Sequence, residues 1–133
     1  MKISFIIVNY HSEKYLEKCI SSIREKVSGV DYEIIVVNNN QTNLEAELLS
    51  TERIINTGKN VGFGAGCNLG AKEARGEILC FLNPDTEIVS ENIPEFPPKA
   101  DQPLAGILKL FNDQKIGVIG PRLMDESGKT QEW

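Results

Sequence analysis

Ile3-Ser4-Phe5-Ile6-Ile7-Val8, and its counterpart Glu33-Ile34-Ile35-Val36-Val37 further along, decide the fold. Both runs are almost continuously apolar and rich in β-branched residues. A strand with one solvated face alternates polar with apolar, so continuous runs mark strands buried on both faces, as in a parallel sheet. Parallel neighbours need a crossover, and the intervening residues supply one. Tyr15, Leu16, Cys19, Ile20, Ile23 and Val27 make an apolar stripe at helical spacing, ringed by Glu13, Lys14, Glu17, Lys18, Arg24 and Glu25. Ser12 is placed as its N-cap and Gly29 as its stop. The result is a βαβ unit, expected to be right-handed.

The pattern continues downstream. Thr42-Asn43-Leu44-Glu45 reads as a capping box opening a short helix to about Leu49, and Arg53-Ile54-Ile55-Asn56 as a third strand. A glycine-rich turn from Gly58 to Gly66 leads into a helix over 65–75 that Gly76 is placed to close, followed by the buried strand Glu77-Ile78-Leu79-Cys80-Phe81-Leu82. Alternating strands and helices define an α/β class with a mainly parallel sheet. After Asn83-Pro84-Asp85-Thr86, prolines crowd into residues 91–104, which predicts an irregular excursion. Leu104 to Phe111 then reads as a helix, Ile116-Gly117-Val118-Ile119 as a strand, and the end of the chain as polar turns.

Composition narrows the function. In 133 residues, 14 Lys and Arg face 19 Asp and Glu, a net charge of −5, with 41% apolar residues. One ordinary globular domain fits. The acidic balance argues against nucleic acid as a partner, since binding it requires a field of basic residues. No run approaches the roughly 18–20 apolar residues of a spanning helix, so no transmembrane segment is expected. Cys19, Cys67 and Cys80 are odd in number and widely spaced, which suggests small buried hydrophobes and a reducing cytoplasm, including the inner face of the membrane.

Ligands of open α/β sheets bind outside the carboxyl ends of the strands. Those ends carry Asn9-Tyr10-His11, Asn38-Asn39-Asn40, Asn56-Thr57-Gly58-Lys59-Asn60 and Asn83-Pro84-Asp85. Asparagine also serves turns, so each residue alone carries both readings; their joint placement after four strands points to a site. His11 reads as a loop residue. Asp85 fits either a Pro-Asp-Thr turn or an oxygen ligand for Mg²⁺ or Mn²⁺, ions that take one or two protein carboxylates and complete their shell with substrate phosphates. Gly62-Phe63-Gly64-Ala65-Gly66-Cys67 is not a dinucleotide fingerprint: Cys67 stands where the third glycine belongs, and the motif lies mid-chain. A Walker sequence is absent.

These motifs, in this order, resemble the family 2 inverting glycosyltransferases: Ile6-Ile7-Val8-Asn9-Tyr10-His11-Ser12, the strand ending in Asn38-Asn39-Asn40, Asn60-Val61-Gly62-Phe63-Gly64-Ala65-Gly66-Cys67-Asn68-Leu69-Gly70, and Ala74-Arg75-Gly76-Glu77 with Leu82-Asn83-Pro84-Asp85-Thr86. The Asn-Pro-Asp-Thr form and Gly117-Val118-Ile119-Gly120-Pro121-Arg122-Leu123 are similar to the branch that includes bacterial rhamnosyltransferases. The resemblance covers nearly the whole chain. It implies a GT-A fold, a three-layer sandwich around a mainly parallel sheet, here truncated, with residues 1–133 forming the donor-binding part.

The resemblance also implies a nucleotide-sugar donor across the strand ends, a saccharide acceptor, and transfer with inversion. Asn9 and Tyr10 correspond to the loop lining base and ribose. Asn38, with Asn39 beside it, stands where the family usually has an Asp against the nucleoside. Asn60, Gly62 and Asn68 match the donor-side motif. Asn83 and Asp85 lie in the place of the Asp-x-Asp element, Asp85 as the metal ligand. The implied donor is a nucleotide-activated deoxysugar such as dTDP-rhamnose. A base would come from the acceptor half, but Asp125, Glu126 and Glu132 sit in a polar tail, so the catalytic residues are unassigned and turnover by this chain alone is not expected. The alternative is a noncatalytic nucleotide-binding module. A nucleotidyltransferase would need a basic, glycine-rich loop after the first strand, which Asn9-Tyr10-His11-Ser12 is not.

Overall fold

The structure, a computed structural model, describes residues 2–45, 53–89, 103–121 and 123–131. Strand β1 (Lys2–Asn9) leads through helix α1 (Glu13–Lys26) to β2 (Asp31–Asn38); β3 (Arg53–Asn56) leads through α2 (Phe63–Glu73) to β4 (Ile78–Leu82). A short α3 (Pro103–Leu108) runs into a 3₁₀ turn, Lys109–Asn112. The four strands are all parallel, in the order β3-β2-β1-β4.

The order explains the layers. From β1 to β2 the chain moves one way along the sheet; from β3 it travels back past both to reach β4. Crossovers of one hand then put their helices on opposite faces. Accordingly Leu16, Cys19, Ile20 and Ile23 of α1 pack with Ile3, Phe5, Ile7, Ile34 and Val36, whereas Cys67 and Leu69 of α2 pack with Val8 and Val37 on the other side. The cysteines are small core residues, and burial pushes the Cys19 and Cys80 thiols up to about 11.

Both central strands are buried along nearly their whole length, as their apolar runs predict. Strand β4 differs. Among the described residues it pairs only with β1, and α2 lies over β1 and β2, so burial along β4 alternates and Leu79 and Phe81 are 40% and 47% exposed. This apolar run, read as a buried strand, is among the described residues an edge strand with one open face.

Helix α1 buries Leu16, Cys19, Ile20 and Ile23 of its expected stripe, whereas Tyr15 is 44% exposed, and Ser12 caps the helix without a side-chain hydrogen bond; its hydroxyl donates to the Tyr10 carbonyl at 3.0 Å. Packing can bear the loss, since each buried Leu or Ile contributes about 1.5–3 kcal/mol against roughly 1 kcal/mol for a cap. Helix α2 starts earlier than expected, at Phe63, because Gly62 at φ +88° turns the chain directly into it. Gly76 does not end that helix in a left-handed conformation; it lies against β1, where an added Cβ would stand 2.6 Å from the Ser4 amide nitrogen.

Two expected elements change. Residues 42–45 are not helical, because the Asn56 carboxamide takes both the amide and the carbonyl of Leu44; the rest of that segment lies outside the described residues. Residues 116–121 form no strand: Val118 is 90% exposed and gains no burial from a sheet neighbour. The helix expected from Leu104 forms as α3 and the 3₁₀ turn. Of the proline-rich excursion, 91–102 lies outside the described residues, while 103 and 104 open α3.

Candidate functional site

Parallel register brings the carboxyl ends of β1, β2 and β3 level, and each ends in asparagine: Asn9 pairs with Asn38, and Asn38 with Asn56. Asn9 and Asn38 are fully buried. Asn9 Nδ2 donates to Asn38 Oδ1 at 3.1 Å, and Asn38 Nδ2 donates to Asn56 Oδ1 at 2.8 Å and to the Thr42 carbonyl at 2.9 Å. Asn38 Oδ1 also accepts from the Asn40 amide at 3.4 Å. Every hydrogen-bonding position of the Asn38 carboxamide is thus engaged by the protein. The residue expected to touch a nucleoside lies beneath the surface and ties three strand ends together.

A second set of bonds reaches α2. Asn39, also buried, donates through Nδ2 to the Gly62 carbonyl at 3.2 Å and to Asn60 Oδ1 at 3.4 Å; Asn60 Oδ1 in turn accepts the Gly62 amide at 2.9 Å. Asn60 and Gly62 are exposed at the helix entry, and Asn68 is exposed on α2 itself. Gly66 is needed for contact, since a Cβ there would lie 2.9 Å from Val8 Cγ1.

On the other side of β1 the sheet opens. Strand order reverses between β1 and β4, the switch point where α/β sheets bind ligands. A cavity of about 240 Å³ lies there, lined by Val8, Tyr10, Ser12 and Tyr15 from the β1 side and Asn83, Pro84 and Asp85 from the end of β4. Tyr10 is 49% exposed, and its ring lies 4.4 Å from that of His11. Asn83 and Asp85 are exposed, and a turn closes behind them, with the Thr86 amide and hydroxyl donating to the Asn83 carbonyl. The Pro-Asp-Thr turn and the cleft-facing carboxylate therefore coexist.

The structure thus brings Tyr10, Asn83 and Asp85 together. Asn9, Asn38, Asn39, Asn60, Gly62 and Asn68 are not among the residues that line the cavity: Asn9, Asn38 and Asn39 are buried in the hydrogen-bonded network at the strand ends, and Asn39 ties that network to Asn60 and Gly62. Sequence reasoning missed Glu13 and gave no role to Asn40. Glu13 Oε1 accepts from Asn9 Nδ2 at 3.1 Å and from Asn40 Nδ2. The signal available was Asn9 and Glu13 four residues apart across the strand–helix junction. Its own backbone amide, then the Asn9 and Asn40 amides and the nearby His11, hold the Glu13 carboxyl below its ordinary value against the opposing effect of burial.

Among the described residues no three His, Cys, Asp or Glu cluster as a metal site. A divalent ion at Asp85 would need a diphosphate to complete its shell, which suits the chemistry of such ions. Asp125 is engaged elsewhere: its Oδ1 accepts from the Ser127 amide and hydroxyl and the Lys129 amide, which lower its pKa and make it a turn residue. Glu132 lies outside the described residues. No helix among them is long and apolar enough to cross a membrane.

Helices on both faces of a parallel sheet, with the cleft at the switch point, make this a GT-A type α/β domain. The profile of Glycosyl transferase family 2 matches residues 4–127, and the chain belongs to that family. It is 30% identical over 132 residues to the low-salt glycan biosynthesis hexosyltransferase Agl10 of Haloferax volcanii, covering 95% of this chain and 38% of that protein. It is likewise 30% identical to the dolichol-phosphate mannosyltransferase of Pyrococcus furiosus, covering 100% of this chain and 36% of the relative. The chain therefore spans little more than a third of these proteins. The crystal structure of Staphylococcus aureus TarS 1–349 in complex with UDP superposes with a TM-score of 0.64 at 20% identity, over 95% of this chain and 40% of that one.

Proposed function

We propose that this chain is the donor-binding part of an inverting glycosyltransferase that takes a nucleoside-diphosphate sugar and serves transfer to a saccharide acceptor. The observation that carries this reading is the cavity between the ends of β1 and β4, with an aromatic ring at one wall and a carboxylate at the other. Tyr10 would pack on base or ribose, Ser12 and Asn83 would hydrogen-bond the donor, and Asp85 would hold Mg²⁺ or Mn²⁺ with the diphosphate. Bound there, the ion supplies charge neutralisation for the departing nucleoside diphosphate. It also accounts for how a chain with net charge −5 takes an anionic ligand. The Asn83-Pro84-Asp85-Thr86 form supports a rhamnosyltransferase-like branch, and so a dTDP-deoxysugar such as dTDP-rhamnose.

The test is calorimetric titration with dTDP and UDP, with and without Mn²⁺, repeated on Asp85→Ala. Metal-dependent binding, weakened at least tenfold by the substitution as expected for a lost charged ligand, supports the reading, about 1.4 kcal/mol or more. Failure of both nucleotides to bind the folded chain overturns it.

A further inference from the structure

We infer that Glu13 is the positioning residue of the Tyr10–Ser12 loop, clamping that wall of the cavity through Asn9 and Asn40 without touching the donor; the inference rests on the donor-site reading. Within the loop itself the Ser12 hydroxyl donates to the Tyr10 carbonyl at 3.0 Å. His11 has a positive φ of 51°, and Tyr10 is half exposed. Two asparagine oxygens grip its backbone: Asn40 Oδ1 accepts the His11 amide at 3.0 Å and Asn9 Oδ1 accepts the Ser12 amide at 3.2 Å. Those asparagines come from different strands, β1 and the end of β2, and their amide groups both donate to Glu13 Oε1.

Glu13 therefore orients the Asn40 carboxamide and shares the orientation of Asn9 with Asn38 Oδ1, which also accepts from Asn9 Nδ2 at 3.1 Å. With both NH₂ groups drawn to one carboxylate oxygen, both carbonyl oxygens turn to the loop amides; a reversed carboxamide would place oxygen against oxygen. Position favours a carboxylate, because Glu13 lies in the first turn of α1, where the helix dipole and its own amide stabilise negative charge. Glu13 is absent from the residues lining the cavity, whereas Tyr10 and Ser12 belong to them. Its charge is spent on the asparagines, so the wall beside an anionic donor is aromatic and hydroxylic.

The clamp has a readout that needs no ligand. The His11 and Ser12 amides, both hydrogen-bonded, are expected to be protected from solvent exchange in the folded chain and to exchange about tenfold faster in Glu13→Ala, the loss of roughly one hydrogen bond to a charged group, with the unfolding midpoint little changed. The second readout uses whichever of dTDP and UDP, with Mn²⁺, the unsubstituted chain binds. Glu13→Ala weakens that binding by about tenfold, Glu13→Gln, which keeps one acceptor oxygen, restores most of it, and Glu13→Ala combined with Asn40→Ala loses less than the sum of the two single losses, because the arm through Asn40 is shared. Unchanged exchange and affinity in Glu13→Ala, additive losses in the double variant, or no rescue by Gln overturns the clamp while leaving the donor site standing. If the unsubstituted chain binds neither nucleotide, the donor reading falls, and the positioning role with it.

Discussion

Replacing Asn38 with Asp is the sharpest probe of the buried carboxamide network, because the family resemblance and the structure predict opposite results. The resemblance implies that Asp is the usual residue here, so the substitution ought to be benign. In this chain Asn38 Nδ2 faces two acceptors, the Thr42 carbonyl at 2.9 Å and Asn56 Oδ1 at 2.8 Å. Neither can turn away. A backbone carbonyl has no alternative group to present, and Asn56 is pinned by the Leu44 amide at 3.0 Å and carbonyl at 3.2 Å. A carboxylate would thus set oxygen against oxygen twice at a site with no solvent access. At about 1–3 kcal/mol for each of the two buried polar groups left unsatisfied, the expected loss is roughly 2–6 kcal/mol near neutral pH. The pH dependence has a definite sign. The buried Asp has its folded pKa raised above the unfolded value, so the variant is penalised above that value and recovers as acid supplies a proton that can bridge one oxygen pair. Urea unfolding of both proteins at neutral pH and near pH 4.5 measures this. A variant at neutral pH within about 0.5 kcal/mol of the parent, or above it, would refute the reasoning.

Two further outcomes follow from the opposite end of the sheet. Gly76→Ala puts a Cβ 2.6 Å from the Ser4 amide nitrogen and 2.8 Å from the Ile3 carbonyl carbon, both backbone, so the β1–β4 junction must shift; thermal or urea unfolding is expected to show a loss of about 1–3 kcal/mol. Glu33 is buried beside it and accepts from the Ser4 hydroxyl and the Arg75 amide, both at 2.6 Å; despite the opposing effect of burial, these bonds and Lys2 hold its carboxyl below the ordinary value. Its stabilising effect is present above the unfolded value of about 4.3 and lost as pH falls through the lower folded one, so Glu33→Gln should flatten the acid limb of the stability curve.

The comparison of sequence with structure turns on which property is local. The parallel sheet was legible because burial on both faces leaves continuous apolar runs at Ile3–Val8 and Ile34–Val37, and α1 because one buried face repeats at helical spacing. Strand β4 shows the limit of that signal: Ile78–Leu82 is as apolar as the central strands, yet its burial depends on what lies over it. Gly76 shows another, since a glycine after a helix reads the same whether it supplies a left-handed turn or a close approach to a distant strand.

By itself the sequence determined the α/β class, the faces of its helices, the crowding of carboxamides at the strand ends and the place of Asp85 after β4. Only the tertiary structure decided which of those groups line the cleft. Strand register aligned Asn9, Asn38 and Asn56 into a bonded row and consumed Asn38 within it, while the reversal of strand order left Tyr10, Asn83 and Asp85 around an open cleft. Periodicity records whether a side chain is buried; the partner of a buried polar group lies on another strand, and no spacing along one segment encodes it.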